Sequence, residues 1–151
     1  MRMTAKVDYA LRAGAELAAA SQGPVKGERL AAAQDIPLKF LERILTDLRR
    51  AGIVRSQRGA EGGYWLARDA AAVSLADVIR AVEGPLAEIR GGRPEDVSYQ
   101  GAATTLRDVW IALRASERAI LESVTLADLA AGALPKSVLA YTDDPEAWLP
   151  H

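Results

Sequence analysis

Three cations carry the most specific chemistry in this sequence: Lys39 and Arg43, at i and i+4 of an amphipathic stretch, and Arg58, at the shoulder of a glycine-rich turn. Cations on one helix face can read base edges and phosphates, and a guanidinium on a thin hairpin can enter a narrow, A·T-rich minor groove where negative potential concentrates. In Ser56-Gln57-Arg58-Gly59-Ala60-Glu61-Gly62-Gly63-Tyr64-Trp65-Leu66, three glycines within five residues relieve the steric ban on positive φ. Ile53 to Ser56 and Tyr64 to Leu66 can then pair as short strands. A phosphate-cradling Walker loop needs Gly-Lys-Ser/Thr opening a helix, whereas Gly62-Gly63 opens Tyr-Trp-Leu. An ordinary surface hairpin fits the loop equally well, so its reading depends on what precedes it. Catalysis has little to stand on: there is no cysteine, the one histidine is His151, and the paired acids Asp143-Asp144 and Glu95-Asp96 fall in apparent loops with no nucleophile constellation around them.

The elements that position these cations must come from 151 residues, half of them hydrophobic, which suits one domain or a small domain with a dimerisation element. No apolar run reaches the roughly 18 residues of a membrane span, and the N-terminus lacks a signal-peptide pattern, so the expected location is cytoplasmic with no membrane partner. Net charge of −1 conceals a polarity. Residues 1–68 hold 12 Lys/Arg against 7 Asp/Glu, a balance of +5, and residues 69–151 hold 7 against 13, a balance of −6. A basic half facing a polyanion, with an acidic half held away from it, accounts for this division; chance in solvated helices produces such asymmetry too.

Thr4 caps a first helix to about Ala20, with Val7, Leu11, Ala15 and Ala18 inward, until Gln22-Gly23-Pro24 stops it. Gly27 to Gln34 forms a short second helix with Leu30 and Ala31 inward, Asp35-Ile36-Pro37 is a turn, and a third helix runs to about Arg50 with the stripe Phe40, Leu41, Ile44, Leu45 and Leu48. That is a helix-turn-helix followed at once by the hairpin. Ser74 caps Leu75 to Val82, and residues 90–101 read as a loop. A long helix from about Ala102 to Ser116 carries Leu106, Val109, Trp110 and Leu113 on one side, a stripe assigned to a partner subunit or to the chain's own domain. Thr125 to Ala131 is a short capped helix, and residues 142–151 are an acidic, proline-broken tail that Trp148 and Leu149 could anchor. The expected fold is mainly α with a small two-stranded β-wing: a winged helix-turn-helix domain over 1–85, a loop over 86–101, a dimerisation helix and C-terminal helix over 102–141, and the tail.

Five segments in this order resemble the Rrf-type (IscR-, NsrR- and CymR-like) winged-helix regulators of bacteria. They are Asp8-Tyr9-Ala10-Leu11-Arg12; Leu41-Glu42-Arg43-Ile44-Leu45 with Leu48 to Val54; Ser56 to Leu66; Leu75 to Ile79 with Val82-Glu83-Gly84-Pro85; and Thr125-Leu126-Ala127-Asp128-Leu129. The resemblance implies a homodimer that binds an imperfect palindromic operator, usually as a repressor. For many members it also implies an iron–sulfur cluster held by three cysteines in the loop before the dimerisation helix. Residues 90–105 offer no thiolate, so the expectation is a regulator with no cofactor and no metal site, one governed by a small-molecule or protein effector, or one whose cysteines have been replaced. Asp8 matches an acidic ligand position of some relatives and otherwise suits the positive end of the first helix.

The double-stranded DNA partner is expected to meet two layers. Phosphate contacts fall to Lys6, Arg2, Lys26, Arg49, Arg50 and Arg55, with Arg49 and Arg50 equally suited to capping the helix C-terminus. Base reading falls to Pro37, Leu38, Lys39 and Arg43, with Glu42 facing a cytosine or tethering a neighbour, and minor-groove entry falls to Arg58 flanked by Gly59 and Gly62. Tyr64 and Leu66 are expected to pack inward and Trp65 to face out, toward a partner subunit, sugar, an effector or partial burial on its own domain. The competing reading is a winged-helix protein-interaction module, or an effector-controlled regulator with reduced DNA binding.

Overall fold

Thr4 begins the first helix by accepting the Val7 N–H at 3.2 Å, and α1 runs Ala5–Ala19. The computed structural model that defines this arrangement describes residues 3–20 and 23–150, so the expectations for Arg2, Gln22 and His151 lie outside the described residues. The buried face of α1 is Val7, Ala10, Ala13, Gly14 and Leu17, not the expected Val7, Leu11, Ala15 and Ala18. Small residues decide the rotation, because α1 is the central helix and packs against four others. At Gly14 a Cβ would stand 3.0 Å from the Leu126 side chain, so a larger residue there would require Leu126 to shift. Leu11 and Ala18 pack at the rim.

Helix α2 (Gly27–Gln34) ends at Asp35 in the left-handed region, φ 51°, and Pro37 leads into α3 (Leu38–Arg50). Leu41, Ile44, Leu45 and Leu48 are buried as expected, but Phe40 is 37% exposed, its ring edge-on to Tyr9 at 5.5 Å. The end of α3 is a Schellman motif: Gly52, φ 72°, donates to Arg49 O, and Ile53 donates to Leu48 O, with Ile53 and Leu48 both buried. Ile53 is thereby used as a cap. The first strand accordingly lies one residue later than expected, β1 over Val54–Gln57, while β2, Gly63–Leu66, begins one residue earlier than expected; the two are antiparallel with Val54 opposite Leu66 and Gln57 opposite Gly63.

Helix α4 (Leu75–Glu83) and helix α6 (Leu126–Ala131) both open with reciprocal capping boxes, Ser74 with Asp77 and Thr125 with Asp128. Their starts are stitched together, Leu75 N–H donating to Val124 O and Leu126 N–H to Val73 O. The core therefore continues past residue 85, with Val124 and Leu126 buried in it. Residues 90–101 lack a long regular element, yet Pro94 is fully buried within a 3-10 turn, Pro94–Asp96. Helix α5 spans Leu106–Leu121, starting later than expected because Gly101–Ala103 forms a 3-10 turn and ending beyond Ser116. Helix α7 (Lys136–Thr142), not expected from the sequence, precedes a 3-10 turn at Pro145–Trp148. Trp148 and Leu149 anchor nothing: they are 73% and 53% exposed, and the indole N–H donates only to the nearby Thr142 O.

Candidate nucleic-acid interface

The helix-turn-helix and the wing are held together at one corner. Val25, just before α2, exchanges both backbone hydrogen bonds with Tyr64 of β2 at 2.8 Å, which adds an isolated antiparallel rung on the other edge of β2. At Gly27, the first residue of α2, a Cβ would meet Tyr64 Cε2 at 3.5 Å and Leu38 Cδ1 at 3.7 Å, so the starts of both helices and the wing converge there. Lys26 Nζ donates to Gly59 O at 2.6 Å and ties the hairpin tip to the same corner.

The tip itself depends on its glycines for different reasons. Gly59 has φ 103° and Gly63 has φ 149°, where a Cβ would also collide with Val25 O at 2.7 Å. Gly62 lies outside the positive-φ set, but it is buried, and a Cβ there would fall 2.0 Å from Gln57 O. Gly62 therefore shapes the hairpin and offers no surface to a duplex, a correction to its expected contact role.

On this frame Lys39, Arg43, Arg55 and Arg58 are exposed, and none makes an ion pair or side-chain hydrogen bond with another described residue. Pro37 and Glu42 are exposed beside them. Leu38 is half-buried, its side chain packing against the core near Gly27, which leaves only part of it for the base-reading role expected. Lys6 also leaves the cationic surface. Its ammonium lies 2.9 Å from Asp47 Oδ2 and donates to Val82 O at 2.6 Å, bridging α3 and α4 from α1. Arg49 braces the end of α3 to β1 through Ser56 Oγ at 3.1 Å, while Arg50, 77% exposed, is only 3.9 Å from Asp47. The Lys26 tether and the Val25 rung were not read from the sequence, since Pro24-Val25-Lys26 looks like a linker; a β-branched residue after proline was the only local sign.

Trp65 is half-buried and lines a cavity of about 480 Å³ with Tyr64, Leu66, Leu17 and Arg68. The α5 stripe divides. Val109 is 54% exposed, whereas Trp110 donates to Tyr99 OH at 3.0 Å and, with Leu113, lines a cavity of about 360 Å³ against Val7 and Ile79. Leu106 is half-buried, so the stripe is not one unbroken outward face. Residues 86–105 supply only Glu88, Glu95 and Asp96 as acidic side chains, Glu95 is held by Arg114 at 2.5 Å, and no cluster of three or more metal-ligating side chains occurs among the described residues. No helix of the described residues is long and apolar enough to cross a membrane.

The profile of the Rrf2 family, described as an iron-dependent transcriptional regulator, matches residues 3–132. A protein of Mycobacterium tuberculosis named as an HTH-type transcriptional regulator is 54% identical over 145 residues, covering 95% of this chain and 90% of its own length. The solved structure of CymR, the global cysteine regulator of B. subtilis, superposes with a TM-score of 0.74 at 32% identity, covering 88% of this chain and 98% of that one. T. potens IscR gives 0.69 at 29% identity, covering 100% and 93%. These names are those of transcriptional regulators rather than enzymes.

Proposed function

Because this chain belongs to the Rrf2 family of transcriptional regulators, we propose that it acts in the cytoplasm as a homodimeric repressor that reads an imperfect palindrome without an iron–sulfur cluster. The observation that carries this reading is the set of cations with no partner among the described residues, Lys39, Arg43, Arg55 and Arg58, on a helix and hairpin joined at Gly27. Cations that no internal carboxylate neutralises keep their charge for phosphates, and each phosphate contact releases condensed counterions. Lys39 and Arg43 enter the major groove from the early turns of α3, where an Arg43–guanine contact contributes about 1–3 kcal/mol of discrimination. Arg58 enters the flanking minor groove, and Lys26 holds the wing tip in place through Gly59 O.

Two half-sites about 34 Å apart require a two-fold dimer. Leu106 and Val109 are the α5 residues available for it, with Trp110 and Leu113 acting from behind through the chain's own cavity. An iron–sulfur cluster does not fit this chain: there is no cysteine, and the hard oxygens of Glu88, Glu95 and Asp96 are poor substitutes for sulfur.

Selection of bound duplexes from a random pool by the purified protein tests this directly. The expected result is a two-fold-related site whose affinity falls steeply with salt and is unchanged after iron chelation. No binding to any duplex at low salt refutes the DNA reading, an asymmetric single half-site bound by one chain refutes the dimer, and loss of the site on chelation refutes the cluster-free regulator.

A further inference from the structure

Four arginines, Arg80, Arg93, Arg114 and Arg118, line a cavity of about 520 Å³ between α4, the segment 84–95 and α5, on the side of the molecule assigned above no part in reading DNA. That volume is within the range of about 300–1,000 Å³ typical of small-ligand clefts. A guanidinium cannot shed its proton, so converging ones must be balanced by anions. Three of the four are already matched inside the protein. Glu122 accepts from both Arg80 and Arg118, Glu95 accepts from Arg114, and Asp77 lies 3.7 Å from Arg80. Glu88 shares the wall, and Arg93 is exposed with no partner among the described residues.

We propose that this cavity binds a small organic polycarboxylate, and that its occupancy reaches α3 through Lys6. The protein already places carboxylates against three of these guanidiniums, so a ligand carboxylate meets a planar donor fork suited to it. One ligand group replaces Glu95 on Arg114 and a second takes Arg93. The Glu95 and Glu122 carboxyls are held below their ordinary range, Glu95 first by a backbone hydrogen bond and then by Arg114, Glu122 by Arg80 and then Arg118, so these positions favour an ionised carboxylate. Exchange of Glu95 removes the ion pair between α5 and the 3-10 turn Pro94–Asp96, which belongs to the cavity wall and stays packed through the buried Pro94.

The other wall, residues 84–88, begins where α4 ends at Gly84, φ 92°. In the last turn of α4, Val82 O accepts from Lys6 and Glu83 Oε1 accepts from Thr4 Oγ1 at 2.6 Å. Lys6 then grips Asp47 on α3, one turn beyond Arg43. A shift of the α4 end therefore acts on the helix that carries Lys39 and Arg43.

Calorimetric titration of citrate and succinate into the intact protein, at ionic strength fixed with NaCl and without DNA, tests the cavity independently of the DNA reading. Saturable binding at one site per chain is expected. Arg93→Gln, which breaks no ion pair or side-chain hydrogen bond among the described residues, should weaken it on the order of fivefold with the melting temperature unchanged, and Arg114→Gln should weaken it further. Absence of saturable binding by either probe, equal binding of inorganic phosphate, or an unchanged affinity in Arg93→Gln overturns the carboxylate site. If citrate binds, operator affinity should change by about fivefold, a common allosteric coupling. Lys6→Met should retain citrate binding and lose that response. An operator affinity indifferent to citrate in the unmodified protein, or a response preserved in Lys6→Met, overturns the Lys6 link.

Discussion

On α3 and the wing, Lys39, Arg43, Arg55 and Arg58 stand exposed with no partner among the described residues, whereas on α4 and α5 Arg80, Arg114 and Arg118 each hold a carboxylate. Both regions are rich in the same residue type, and what separates them is the local supply of acids. Residues 1–68 have five more cations than anions, and residues 69–151 have six more anions than cations. A cation matched inside the chain has its long-range field largely neutralised and meets another anion only by exchanging its own carboxylate. One left unmatched projects its charge outward, where a polyanion can use it. Lys6 shows that the distinction is not simply one of sequence half. It lies in the basic half, yet Asp47 and Val82 O engage it internally.

The comparison breaks most severely at Gly62, because a Cβ 2.0 Å from Gln57 O prevents the hairpin from closing. Gly62→Ala is expected to reduce operator affinity on the order of a hundredfold, about 2.8 kcal/mol, with the helical circular dichroism retained; near-normal binding in a gel-shift titration would show that the wing shape is dispensable. Arg58→Ala should weaken operator binding by at least about tenfold, roughly 1.4 kcal/mol, and leave the melting temperature in place. An unchanged affinity would remove Arg58 from the free set.

Lys6→Met sharpens the contrast from the other side. Loss of its ion pair and hydrogen bond should lower unfolding stability by about 1–2 kcal/mol in urea, near the lower end because the pair keeps partial exposure. The salt slope of DNA binding in the same variant should stay constant, and a shallower slope would return Lys6 to the phosphate layer. The smallest effect belongs to Glu122→Gln. Its carboxyl is held below the ordinary 4.5 by Arg80 and then Arg118, so the ionised form is favoured in the folded chain. That stabilisation is complete above 4.5 and is lost as pH falls through the depressed folded value. The gap in melting temperature between the unmodified protein and Glu122→Gln should accordingly be present at neutral pH and close in acid. A gap independent of pH would mean that Glu122 acts by packing.

Local chemistry made much of the fold readable in advance. Thr4, Ser74 and Thr125 announce helix starts through hydroxyls within reach of their own following amides, and Gly52, Gly59 and Gly63 mark reversals that need positive φ. The exposure of Lys39, Arg43 and Arg58 followed from the same short-range pattern. What was not readable depends on neighbours distant in sequence. Two faces of α1 are plausible from its alanines, and Leu126, arriving far along the chain, selects the one containing Gly14. Leu38 and Phe40 depart from their expected environments because Tyr64 and Gly27 partly shelter one and Tyr9 meets the other only edge-on.

The amino-acid order by itself determined the helix-turn-helix, the glycine hairpin and the division of charge, because each arises from hydrogen bonds, φ limits and periodicities spanning a few residues. Only the tertiary structure decided which cations remain free. Whether an arginine or lysine meets a carboxylate depends on helices brought together from across the chain, as Lys6 meets Asp47 and Arg80 meets Glu122. Electrostatic pairing is set by distance in space, which residue spacing does not encode.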